Sequence, residues 1–163
     1  MHQLFSGRIF ADHYQFYILD SDPDFYDKMP VWNEENSRKG YITNSRTIYV
    51  GTRATFHDYW LDLYLSDNTP SFEECERALA LNLNIVSGEL EITTTTGDSE
   101  ANISLTKGAY IVYVLAFNLG IDSEDYLSDQ ELENSNDFER YSIILVPVHT
   151  STEGIVKGEA YLF

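Results

Sequence analysis

The sequence predicts an all-β protein, an antiparallel two-sheet β-sandwich with one short helix and a long acidic loop. Three observations carry that reading. Apolar residues recur at every second position through much of the chain, turn residues separate the runs, and only one short stretch carries helix start and stop signals. A closed barrel is the competing arrangement of the same strands. The 163 residues suffice for a hydrophobic core without staples. No repeat or shift of composition marks a second domain, so residues 1–163 read as a single sandwich domain with an acidic insertion at 120–140.

The strands follow from period two. Tyr14–Leu19 and Thr47–Gly51 are short β-rich runs. In Phe56–Leu65, Leu61, Leu63 and Leu65 point one way, while Asp58, Trp60, Asp62 and Tyr64 point the other. Leu79–Ile85 alternates Leu81, Leu83 and Ile85 inward. The Ser87-Gly88 turn then predicts a hairpin into a strand over Glu89–Thr95. A strand at Ile103–Leu105 follows the turn at Gly97-Asp98, and Lys107-Gly108 leads into Ala109–Phe117. That last run is apolar on both faces, as a central strand is. Tyr141–Val148 resembles it until Pro147, which pushes its far end toward an edge or a bulge. A final strand is expected at Glu159–Phe163. The helix is Glu34–Lys39: Asn33 caps its start, Arg38 and Lys39 suit its negative end, and Gly40 stops it.

Charge is the strongest functional signal. Against 10 bases stand 27 acids, a net charge of −17. Such a field repels nucleic acid and anionic membrane and speeds encounter with a basic partner. Asp122–Glu139 carries eight of the acids and no base: Asp122, Glu124, Asp125, Asp129, Glu131, Glu133, Asp137 and Glu139. A second acidic stretch holds Asp20, Asp22, Asp24 and Asp27. Phe25, Tyr26, Tyr126 and Phe138 sit within or beside these acids. Rings there suit an interface, where they anchor while the carboxylates steer, or they tether long loops to the core. The partner-binding candidates are accordingly the acids of both stretches with Phe25, Tyr26 and Tyr126.

No catalytic, cofactor or metal site is expected. His2, His13, His57 and His149 lack ligand spacing, and Cys75 stands alone. Neighbours on a strand point to opposite faces, so His57 and Asp58 make a poor catalytic pair. Asp20-Ser21-Asp22-Pro23-Asp24 resembles the start of a calcium loop, but the glycine and distal glutamate of the helix–loop–helix pattern are missing. A calcium-dependent binding module stays open as an alternative. With one cysteine, no secretory leader and no long apolar run, the expected location is the cytoplasm.

An ordered set of motifs narrows the class. His13-Tyr14-Gln15-Phe16 is followed by Trp32 before the helix, Gly40-Tyr41 after it, and Leu105, Lys107, Gly108 and Tyr110 at the central strand. This pattern resembles the competence protein J family, inhibitors of the DNA-entry nuclease in bacterial transformation. The resemblance runs from about Ala11 to Leu119 and resumes at Tyr141–Val148. It leaves Asp122–Glu139 as an insertion and His149–Phe163 as an extension. It implies a non-catalytic inhibitor of a basic nuclease and assigns no interface residue. An immunity protein against a non-nuclease toxin shares every one of these features.

Overall fold

The computed structural model describes residues 1–10, 12–22, 31–54, 58–95, 99–123, 127–148 and 154–157. One sheet has six strands, in the spatial order β1 (His2–Phe10), β5 (Asp58–Leu65), β10 (Arg140–Pro147), β9 (Gly108–Phe117), β6 (Arg77–Ile85) and β11 (Gly154–Lys157). The other has five, in the order β3 (Tyr41–Asn44), β4 (Thr47–Gly51), β2 (Gln15–Asp20), β7 (Glu89–Thr94) and β8 (Ser99–Ser104). Two short helices accompany them among the described residues, α1 (Glu34–Lys39) and α2 (Asp129–Asn134).

The apolar faces of both sheets meet in one cluster. Leu61, Leu79, Leu83, Val112 and Ile143 come from the larger sheet; Phe16, Ile18, Val50, Leu90 and Ile92 come from the smaller. Period two is the cause: Leu79, Leu81, Leu83 and Ile85 all point inward, while Ala78 and Ala80 point out. On β9 the alternation has no polar side. Val112, Val114 and Ala116 face the shared core, while Ile111, Tyr113 and Leu115 join a second cluster on the outer face with Ile144 and Val146.

Two expected pairings differ. Ser87-Gly88 does not close a hairpin: β6 pairs with β9 and β11, whereas β7 pairs with β2 and β8 in the other sheet. The Ser87 amide and hydroxyl both donate to Asp20 Oδ1, at 3.0 and 2.5 Å, which fixes the turn to the end of β2. The chain there crosses between sheets, and strands on either side of a crossing alternate as hairpin strands do. The larger sheet is also not wholly antiparallel. β10 enters between β9 and β5 and runs parallel to β5, from Arg140 beside Trp60 to Leu145 beside Leu65. Side-chain alternation reports which face a residue takes, not the direction of its neighbour. Pro147 ends β10 opposite Tyr110, beyond the last β5 pair at Leu65, so its missing N–H falls where that side has no partner strand.

The β1 and β3 strands have no counterpart in the sequence reading. β1 is half exposed along an edge, and its polar residues hide the alternation. Between β1 and β2, His13 and Tyr14 both take positive φ, 56° and 59°, making the bend that carries the chain from one sheet to the other. The strand expected at Glu159–Phe163 and the turn at Gly97-Asp98 lie outside the described residues, as does His57. A short strand, β11, stands at Gly154–Lys157.

The capping reading of α1 holds at both ends. The Asn33 side chain accepts the Asn36 N–H at 2.8 Å, and Gly40 adopts φ 76°. Replacing Asn33 by Ala is expected to cost about 0.5–2 kcal/mol in urea unfolding. Leu83, 1% exposed in the shared cluster, is expected to cost about 2–5 kcal/mol when cut to Ala. A cost below about 0.5 kcal/mol would contradict its place between the sheets.

Candidate functional site

The acids divide into two populations by what surrounds them. Asp20 is 1% exposed. Burial opposes its charge, but the Ser87 hydroxyl and amide and the Arg46 guanidinium outweigh burial and hold its carboxyl below the usual range. Arg46 Nε donates to Asp20 at 2.8 Å, and Arg46 Nη2 reaches Asp22 at 2.7 Å. The two acids that resembled the start of a calcium loop therefore grip an arginine and tie β2 to the β3–β4 turn. Asp20, expected among the partner-binding acids, is buried and holds Arg46 within the fold. Asp24, Phe25, Tyr26 and Asp27 lie outside the described residues. No group of three or more potential metal ligands occurs among the described residues.

Within the acidic segment a short helix forms, α2. Ser128 and Glu131 make a capping box: Glu131 N–H donates to Ser128 Oγ at 3.2 Å, and Ser128 N–H donates to Glu131 Oε2 at 2.7 Å. Leu132 is buried, and Asp129 pairs with Arg8 at 2.8 Å, fastening the helix beside β1. Asn118 Nδ2 donates to the carbonyls of Asn136 and Phe138 at 2.6 and 3.1 Å. Phe138 is half-buried. Glu139 is 1% exposed. It accepts from the amides of Arg53 (2.9 Å), Ala54 (2.6 Å) and Gly120 (2.7 Å) and from the Tyr141 hydroxyl. Glu139, like Asp20, is a buried carboxylate whose hydrogen-bond donors lie within the fold. Asp122, Glu133 and Asp137 are exposed. Glu124, Asp125 and Tyr126 lie outside the described residues.

A trough that the sequence reading did not single out runs over the outer face of the six-stranded sheet. Residues 70–76 form one wall, where the Phe72 ring lies 5.8 Å from that of Tyr113 and Cys75 is buried. Burial pushes the Cys75 thiol up, with Lys157 pulling weakly the other way, so the sulfur is packing rather than nucleophile. Beside this wall lies a cavity of about 470 Å³ floored by Tyr64, Leu115, Phe117 and Ile144. A second, of about 460 Å³, adjoins it toward Asn136 and Arg140. The two share Glu74, Phe117 and Ser142. Glu73, Glu74 and Glu76 are exposed along the wall. The outward alternation of Tyr64, Leu115, Phe117 and Ile144 was the available signal. The floor forms only when β5, β10 and β9 lie side by side, and that order is not local in sequence.

These features describe a two-sheet β protein with an acidic, apolar-floored surface. The chain belongs to the competence protein J (ComJ) family, whose sequence pattern matches residues 8–154. The matched stretch runs through the acidic segment and reaches the first residue of β11. No curated protein matches the sequence. Two solved structures share the fold. One is the crystal structure of ComJ from Bacillus subtilis, inhibitor of the DNA-degrading activity of NucA, at 15% identity and TM-score 0.63, covering 90% of this chain and 97% of that one. The other is crocagin biosynthetic gene J, also at 15% identity, TM-score 0.51, covering 91% and 100%.

The split between buried and exposed acids is testable within one segment. Replacing Glu139 by Ala strands several buried donors and is expected to cost about 3 kcal/mol or more in urea unfolding. Glu133→Ala and Asp137→Ala, on the same segment, are expected to stay within about 0.5 kcal/mol of the parent.

Proposed function

We propose that this chain is a non-catalytic inhibitor that binds a basic nuclease and blocks its nucleic-acid groove. The carrying observation is membership of the competence protein J family over residues 8–154. The fold shared with an inhibitor of a DNA-degrading nuclease supports it. So does the net charge of −17, because a nuclease presents cations to grip phosphates. Carboxylates arrayed on a rigid surface occupy such a groove without any chemistry of their own. The two sheets act as one sandwich domain that holds those carboxylates in place. The exposed acids of residues 122–137, chiefly Asp122, Glu133 and Asp137, steer the encounter. The buried cysteine suits a reducing cytoplasm. A calcium-dependent module is disfavoured, since Asp20 and Asp22 hold Arg46.

Inhibition is measured against a panel of basic nucleases from the same organism, without added cofactor. Association is expected to slow as salt rises, because screening shortens to about 8 Å at physiological ionic strength. Converting Asp122, Glu124, Asp125, Glu133 and Asp137 to their amides is expected to lower the on-rate about ten-fold at low salt and far less at high salt. Failure to bind or inhibit any nuclease of the panel would sink the reading, and binding to a non-nuclease toxin alone would replace it with an immunity role.

A further inference from the structure

Several acids elsewhere among the described residues are paired with cations. On α1, Glu34 pairs with Arg38 and Glu35 with Lys39. Asp58 and Asp129 share Arg8, Asp62 holds Arg140, and Asp20 and Asp22 share Arg46. The wall of the outer trough is different. Glu73, Glu74 and Glu76 fall within four consecutive residues, and no ion pair among the described residues neutralises them. Among the described residues, Glu76 accepts the Leu119 amide, at 3.1 Å. Lys157 donates to the carbonyls of Phe72 and Glu73 at 2.5 and 3.0 Å and so holds the backbone of the wall. Across the trough, Arg140 gives its protons to Asp62 and to the carbonyls of Glu133 and Ser135, at 3.2, 3.2 and 3.0 Å. Its charge is thus spent within the protein.

From this geometry we propose that the trough over β5, β10 and β9 is the docking site for a cationic loop of the nuclease, a proposal that rests on the inhibitor reading above. The occupant is an arginine- or lysine-bearing segment of the partner's phosphate-gripping face. Its charge lies against Glu73 and Glu74, and its stem lies on Phe117 and Tyr64. Three properties select that occupant. Adjacent like charges repel one another until a cation arrives. A guanidinium gains further by stacking over an aromatic ring. The connected cavities, about 470 and 460 Å³, offer more volume than one side chain fills. The carboxylates of residues 122–137 steer from beyond one end of the same trough, whose Asn136 belongs to that segment.

The test compares three variants for nuclease binding by calorimetry: Glu73→Lys/Glu74→Lys on the wall, Phe117→Ala on the floor, and Glu34→Lys/Glu35→Lys on α1. Thermal melting of each confirms that it is folded. The wall and floor variants are expected to weaken binding about 30-fold or more, and the α1 variant to stay within about three-fold. Wall and floor variants that bind like the parent overturn the proposal while leaving the inhibitor reading intact. A second arm needs no nuclease: penta-arginine is titrated at low salt while amide chemical shifts are followed. Shifts centred on Glu74, Phe117 and Ser142 support the trough even if every nuclease fails, and shifts centred elsewhere overturn it.

Discussion

One buried carboxylate holds together what the two sheets alone do not. Glu139 gathers the amides of Arg53 and Ala54, which follow β4, the amide of Gly120, which follows β9, and the hydroxyl of Tyr141 on β10. A carboxylate taken out of water is tolerable only with such a set of donors. Tyr141 carries the tie inward: its ring meets Phe16 edge-on at 5.0 Å and Tyr59 at 5.9 Å. Burial foremost, and the Glu139 charge next, keep the Tyr141 hydroxyl protonated, with Arg77 acting in the opposite sense. Arg77 is wholly buried and donates to the Gly51 carbonyl at 2.8 Å. Opposite charges thus face a single tyrosine where the sheets meet, and the acidic segment between β9 and β10 hangs from that point.

Acid content alone therefore overstates what the surface offers. Glu139 and Asp20 are framework, Glu131 closes a helix cap, and Asp129 is fastened to Arg8. The carboxylates left for a partner are those whose surroundings provide no cation, and Glu73, Glu74 and Glu76 meet that condition beside an apolar floor. A rigid scaffold suits such a task. An inhibitor that presents charges already in place loses little conformational freedom on binding.

Where the sequence was legible, the signal was local. Leu79–Ile85 shows its inward face by period two alone, and Asn33 with Gly40 bounds α1 to the residue. What was not legible depends on pairs distant in the chain. Ser87-Gly88 carries hairpin chemistry, yet its bonds to Asp20, 67 residues away, send the chain into the other sheet. The parallel pairing of β10 with β5 leaves no mark on side-chain alternation. Glu139 looks like its seven acidic neighbours in sequence and differs only in the amides that surround it. The trough was missed for the same reason: its floor comes from β5, β9 and β10, and its wall from the connection before β6.

The central claim is that this acidic protein meets a nuclease through the outer face of its larger sheet. Hydrogen–deuterium exchange on the complex reads that face directly, segment by segment. Slowed exchange is expected at residues 70–76 and 136–142 when the nuclease binds, with α1 and the β3–β4 turn unchanged. Protection confined to the five-stranded sheet and α1, with the trough exchanging as in the free protein, would contradict it.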